Sequence, residues 1–224
     1  MGREIHPFLQ PLSHDVWFST YKWETDTNVH DTFRRVAKFV ASVEPSEVRN
    51  VWEERYFALL DSFKFVPGGR ITSNAGTGLN GTCLINCFVS GFQGEDRDSI
   101  EGIYHEVARQ AKILKSEGGY GCNFDVLRPR GAFVNGIGVR SPGVVKLMDL
   151  WDTSSEVITA GEGGKTKGKN KIRKGAMMGV MSCWHPSIVD FITVKQNVSK
   201  LKRFNLSVLI TDEFIQAVKH HKPW

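Results

Sequence analysis

The sequence predicts an α/β protein in which a helical N-terminal region, residues 1–66, precedes a parallel sheet or barrel with covering helices over residues 67–224. Three observations carry this. Apolar residues recur only at helical spacing in the first part. From Gly68 onward strand-like and helix-like segments alternate. Between the two lies a glycine-rich break, "PGGRITSNAGTGLNGT". Such alternation argues for parallel strands joined through helices, and 224 residues suffice for one large domain or two small ones.

In chain order, "DTFRRVAKFVASVE" places Phe33, Val36, Phe39 and Val40 on one helical face, and "SEVRNVWEERYFALLDSF" does the same with Val48, Val51, Trp52, Phe57 and Leu60. Ser46 with Glu47 is expected to cap the second helix. The glycine-rich break demands tight turns or a close approach of backbone to ligand. "CLINCFVSG" reads as a strand. "DSIEGIYHEVARQAKILKSEGG" reads as a helix capped by Asp98 or Ser99, with Ile100, Ile103, Val107, Ala111 and Leu114 inward and Gly118-Gly119 as its stop. "YGCNFDVL" is the next strand, and "GVVKLMDLWDTSSEVITAGE" a helix facing inward through Val144, Leu147, Met148, Trp151 and Val157. "GAMMGVMSC" is a strand, "HPSIVDFITVKQ" a helix with Pro186 near its first turn, "FNLSVLIT" a strand, and "DEFIQAVKHH" a helix capped by Thr211 or Asp212.

The composition, 41% hydrophobic and 24% charged, is that of an ordinary globular protein. No apolar run approaches the roughly 20 residues of a membrane helix. The start "MGREIHPFLQ" has no signal core and carries His at position 6, where a myristoylation site needs Ser or Thr. With four cysteines the chain is no disulfide scaffold, and a reducing cytoplasm is the expected compartment.

Cys83 and Cys87 lack paired zinc-type spacing, and the nearest histidine is His105. In one strand they would share a face and open into one cavity; the alternative is two buried small hydrophobes. Spacing alone favours the second reading. Cys122 and Cys183 sit in apolar runs and read as core, and His185 as a helix-entry residue.

The net charge of +5 is concentrated. Lys165, Lys167, Lys169, Lys171, Arg173 and Lys174 contribute +6, so the other 214 residues sum to −1. "GEGGKTKGK" is not a phosphate-binding P-loop, because Thr159 stands where the first glycine belongs and a helix precedes it. A phosphate-neutralising loop and a solvated basic loop both remain open. A nucleic-acid stripe is disfavoured, since no aromatics interleave the cations.

Seven stretches in register resemble one family, the large catalytic chain of ribonucleotide reductases, and above all its adenosylcobalamin-dependent (class II) branch. They are "TYKW", "FVPGGRITSNAGTG", "LINCFVSG", "DSIEGIYHEVARQAKILKSEGGYGCNFDVLRPRGA", "LWDTSSEVI", "RKGAMMGVMSCWHPSIVDFITVK" and "FNLSVLITDEF". The resemblance implies a ten-stranded α/β barrel of two five-stranded halves behind a helical region, with this chain holding that region and about the first half-barrel. The implied reaction removes the ribose 2′-hydroxyl of a ribonucleoside di- or triphosphate by thiyl-radical chemistry, two further cysteines supplying the electrons and closing a disulfide.

Residue by residue, Cys87 matches the first reducing cysteine, whereas Cys83 has no counterpart and is expected to pack. Thr72 and Asn86 fall at substrate-contacting positions. Gly118, Gly119 and Gly121 fall where backbone passes the substrate, with Tyr120 in place of a further glycine. Asp98, Arg128, Arg130, Arg173 and Lys174 fall at the site for a deoxynucleoside triphosphate specificity effector, on a helix start and two loops. No activity-type N-terminal cone is expected. The thiyl cysteine, the second reducing cysteine and most of the adenosylcobalamin site are expected beyond residue 224, so the chain alone is expected to be inactive. Its implied partners are the C-terminal half, a second copy in a homodimer and a thioredoxin-like reductant, with no membrane. Two alternatives stay open: a fragment of a class I, diiron-dependent large chain, and a non-enzymatic basic module that binds nucleotide or RNA.

Overall fold

The computed structural model describes residues 10–160 and 176–224, which form two compact units, one ending at Asn86 and one beginning at Cys87. The expected loop site at Arg173 and Lys174 lies outside the described residues.

The first unit is helical. α1 (Pro11–Val16) runs into a π-helical turn, Trp17–Tyr21, and is followed by α2 (Val29–Ala41), α3 (Ser46–Asp61) and α4 (Gly69–Asn74). α2 opens with a capping box: the Asn28 side chain accepts from the Asp31 N–H at 3.1 Å, and the Asp31 carboxylate accepts from the Asn28 N–H at 3.2 Å. Its buried stripe is Val29, Phe33, Val36, Ala37 and Ala41. Phe39 and Val40, expected inside, are exposed, because two alanines let the backbone itself approach the core. On α3 only Leu60 is buried, while Val48 and Val51 face solvent. Ser46 is the first residue of α3 rather than its cap; its hydroxyl donates to Glu47 at 2.9 Å.

The glycine-rich break was expected to open the second domain at residue 67. It instead forms α4, and Ala75 is buried with Trp17, Phe33, Val36 and Leu60, with Ile71 and Leu84 packed on them. Burial of these apolar residues ties the segment to the helical unit and moves the boundary to Asn86/Cys87.

The second unit comprises β1 (Cys87–Ser90), α5 (Ile100–Lys115), β2 (Gly119–Asn123), a hairpin of β3 (Phe133–Val134) and β4 (Val139–Arg140), α6 (Val144–Ile158), β5 (Met177–Ser182), α7 (Ile188–Thr193), β6 (Phe204–Leu209) and α8 (Asp212–Lys219). The hairpin was not expected; two-residue strands are too short to show a period. The sheet runs β1-β2-β5-β6, every pair parallel. Register aligns Phe88, Tyr120, Met177 and Phe204 across it. Of these, Tyr120, Met177 and Phe204 belong to a core built with Ile103 and Leu114 of α5, Val144, Met148 and Trp151 of α6, and Phe191 of α7. The alternate row, Val89, Gly121, Met178 and Asn205, faces the opposite side. Val89 is 97% exposed, so one face of the sheet is covered by helices and the other is open.

Several helix expectations shift in this unit. Ser99 caps α5 as expected, accepting from the Gly102 N–H at 3.0 Å. Ile100 and Val157 are exposed, and the stripe of α5 continues through Glu106 and Gln110 instead. α5 stops in a Schellman turn whose left-handed residue is Glu117, φ 68°, with the Gly118 N–H reaching Ile113 O at 2.9 Å. Gly118 is glycine for another reason: a Cβ there would lie 2.7 Å from Phe88 Cε2. Among the described residues no helix is long and apolar enough to cross a membrane.

Candidate functional site

Cys87 is the first residue of β1, a free and exposed thiol, with Gly119 as its lateral neighbour in β2. Alternation puts Cys87 on the same side as Val89, the open face of the sheet. Gly121, beside Val89, also lies there, and a Cβ on it would meet only Met178 Cβ at 3.7 Å and Phe88 O at 3.8 Å. Gly121 is half-buried, whereas Gly118 and Gly119, the latter directly beside Cys87, are buried, so of the three expected backbone contacts only Gly121 is partly open. Cys83 lies outside β1, its thiol 3.1 Å from Ile85 O, so the shared-face argument from spacing does not hold.

Tyr120 does not intrude on the open face. Its ring points into the core, 2% exposed, where its hydroxyl donates to Glu106 Oε1 at 2.8 Å and accepts from Trp151 Nε1 at 3.2 Å. Glu106 is also paired with Arg109 at 3.3 Å. Burial, reinforced by the neighbouring Cys122 and Glu106, raises the Tyr120 phenol well above its ordinary pKa. Burial likewise pushes the Cys122 thiol up to about 12, so Cys122 is an inert neutral thiol. The sequence reading missed this cluster; its signal was a glutamate and a glutamine at the stripe positions between Ile103 and Leu114.

In the helical unit, Asn86 and Thr72 are joined through α4. Asn86 Oδ1 accepts from the Arg70 N–H at 3.1 Å, two residues before Thr72. Thr72 lines a cavity of about 350 Å³ with Trp17, Tyr21, Phe33 and Gly69. Arg35, also missed, donates to Thr72 O and Ala75 O while paired with the buried Asp26.

Asp98 and Arg128 come together. Their side chains form an ion pair, the Arg128 N–H donates to Asp98 Oδ1 at 3.2 Å, and Arg128 Nη2 donates to Asp98 O at 3.3 Å. Arg130 makes other contacts. Its N–H donates to Ser187 Oγ at 3.3 Å, and its side chain lines a cavity of about 420 Å³ with Lys146, Asp149, Asp190 and Lys200. Among the described residues no group of three or more His, Cys, Asp or Glu could hold a metal ion.

A helical unit followed by a parallel α/β unit, with an exposed thiol opening the first strand beside a glycine-containing second one, defines a two-part chain. The family models agree on both parts: "Ribonucleotide reductase, all-alpha domain" matches residues 7–80, and "Ribonucleotide reductase, barrel domain" matches residues 85–224. The chain belongs to the ribonucleotide reductase large-chain family. It is 35% identical over 189 residues to a vitamin B12-dependent ribonucleoside-diphosphate reductase of Mycobacterium tuberculosis (strain CDC 1551 / Oshkosh), covering 84% of this chain and 25% of that protein. It is 34% identical over 217 residues to the like-named protein of Thermoplasma acidophilum, covering 96% and 26%. The ribonucleoside-diphosphate reductase subunit alpha of Chlamydia trachomatis is 27% identical over 177 residues, covering 77% and 16%. The chain therefore spans about a quarter of the length of the B12-dependent relatives it matches.

Proposed function

We propose that this chain forms part of a class II, adenosylcobalamin-dependent ribonucleotide reductase, and that Cys87 is one of two thiols that supply the electrons. The observation that carries the reading is the exposed Cys87 thiol beside Gly119 on an open sheet face, in a chain about a third identical to B12-dependent reductases. In each turnover the Cys87 thiol and a second thiol give up two electrons and two protons and join in a disulfide. The ribose 2′-hydroxyl leaves as water, and a thioredoxin-like reductant restores the thiols. The substrate is a ribonucleoside diphosphate, the class named for the relatives, with Thr72, Asn86 and the backbone of Gly118, Gly119 and Gly121 as its contacts. The second thiol and the thiyl cysteine come from the other half of the barrel, and the working enzyme is a cytoplasmic homodimer.

The effector is a deoxynucleoside triphosphate held by Asp98 and Arg128, with Arg130, Arg173 and Lys174 on its phosphates. The Asp98–Arg128 pair supports a prepared site, since the carboxylate can accept from a sugar hydroxyl while the guanidinium turns to phosphate. Adenosylcobalamin, when bound, supplies the radical that starts turnover. Its site is proposed to lie mainly in the rest of the reductase, and no described residue is assigned to it.

The test is an assay of the complete reductase carrying these residues, with labelled ribonucleoside diphosphate, a dithiol reductant, and adenosylcobalamin present or omitted. Deoxynucleotide formation only with the cofactor is expected. Equal activity without it, or activity requiring a separate diiron subunit, overturns the class II reading.

A further inference from the structure

The six-residue α4 carries Thr72 and is too short to hold itself: isolated helices of this length are unstable in water, and their end groups go unsatisfied. Its N-terminal side is met by Asn86 Oδ1 on the Arg70 N–H. Its C-terminal side is met by one guanidinium. Arg35 Nη2 donates to Thr72 O at 3.3 Å and Nη1 to Ala75 O at 2.5 Å, two carbonyls at the end where the helix dipole favours a cation. The same guanidinium reaches Tyr21 O at 3.4 Å and pairs through Nη2 with Asp26 Oδ2 at 2.9 Å.

Arg35 is itself fixed. Its side chain is 8% exposed and that of Asp26 is 2% exposed. Asp26 Oδ2 also accepts from Thr32 Oγ1 at 2.7 Å and from the Trp23 N–H at 3.0 Å, while Thr32 Oγ1 accepts from Trp17 Nε1 at 3.0 Å. Gly76 turns the chain immediately after α4 with φ +73°, and a Cβ on it would lie 2.8 Å from Arg35 Cγ. Three stretches, the π-helical turn through Tyr21 O, the following loop through Asp26 and the 72–76 segment, thus converge on this one side chain of α2. A bare ion pair between Arg35 and Asp26 needs none of the carbonyl contacts.

We infer that Arg35, oriented by Asp26, is a positioning residue for substrate binding: it sets the height and rotation of α4 and thereby the placement of Thr72. The inference rests on the proposed substrate role of Thr72. Lysine at position 35 keeps the charge beside Asp26 but lacks the planar fork that serves two carbonyls at once. Arg35→Lys should therefore loosen α4 without unfolding the unit.

The experiment uses the complete reductase, with steady-state kinetics on ribonucleoside diphosphate and amide exchange, comparing wild type, Arg35→Lys and Thr72→Val. For Arg35→Lys, KM should rise about tenfold with kcat within about twofold, and exchange should quicken over residues 69–76 while α2 and α3 stay protected. Wild-type KM in Arg35→Lys beside a raised KM in Thr72→Val overturns the inference alone. Wild-type KM in Thr72→Val overturns the substrate role of Thr72 and the inference with it. Should Arg35→Lys fail to fold, Gly76→Ala presses on the same contact from the other side; a raised KM there supports the clamp, and a wild-type KM overturns it.

Discussion

Tyr120 stands where related chains are expected to carry glycine, and replacing it with glycine tests which way the second strand faces. The ring is 2% exposed among Phe88, Met177 and Phe204, its neighbours in register. Deleting a buried aromatic side chain costs about 3–5 kcal/mol, and glycine in a strand adds about 0.5–1 kcal/mol. Glu106, also 2% exposed, and Trp151 Nε1 would each lose the phenol as partner, and an orphaned buried polar group costs about 1–3 kcal/mol. The total exceeds about 5 kcal/mol, comparable to the whole stability of many domains. Tyr120→Gly should therefore unfold the barrel unit at ordinary temperature.

Tyr120→Phe keeps the ring and the Arg109–Glu106 pair and should cost only about 1–3 kcal/mol. At about 2–4 °C per kcal/mol for a unit of this size, that is a readable shift in thermal unfolding of the complete enzyme. Because burial keeps the phenol protonated, the gap between wild type and Tyr120→Phe should be the same at pH 6 and pH 9. A stable Tyr120→Gly enzyme with altered KM would refute this reasoning: the ring would then lie on the substrate side and the assigned faces would be reversed.

Other outcomes follow from individual contacts. In native enzyme at pH 8 an alkylating reagent should label Cys87 and spare Cys122, which is buried and pushed up to about 12. Above the ordinary thiol value of 9.0 the unfolded chain releases the Cys122 proton while the folded chain keeps it, so stability should fall from there toward about 12, and Cys122→Ala should flatten that slope in pH-dependent melts. Gly143→Ala should cost about 2–4 kcal/mol in urea unfolding, since φ is +87° and a Cβ would lie 2.7 Å from Arg130 Cβ and 3.0 Å from its backbone N. Asp98→Ala should weaken deoxynucleoside triphosphate binding at least about tenfold in titration calorimetry; unchanged affinity would remove Asp98 from the effector site.

The alternation of apolar periods gave away the order of the main-sheet strands and the helices from β1 to α8, though not the two-residue strands of the β3–β4 hairpin. It could not reveal α4, whose six residues are held by Asn86 and Arg35 rather than by a stripe of their own. Nor could it place Phe39 or Val157, since periodicity marks candidates for burial while packing partners select among them. Cys87 was indistinguishable from Cys83 by spacing; the start of β1 at Cys87 and its exposure separate them. The buried Glu106 and Asp26 were invisible as core because a charged residue is buried only where it is paired, and their buried partners, Tyr120 and Arg35, are 14 and 9 residues away.

The most direct test of the account is turnover by the complete reductase with Cys87→Ser. The account predicts a folded enzyme that still binds effector but makes no deoxynucleotide with dithiol reductant, while Cys83→Ser retains most of its activity. Multiple turnover by Cys87→Ser at the wild-type rate would contradict the central claim that the thiol opening the first strand supplies the reducing electrons.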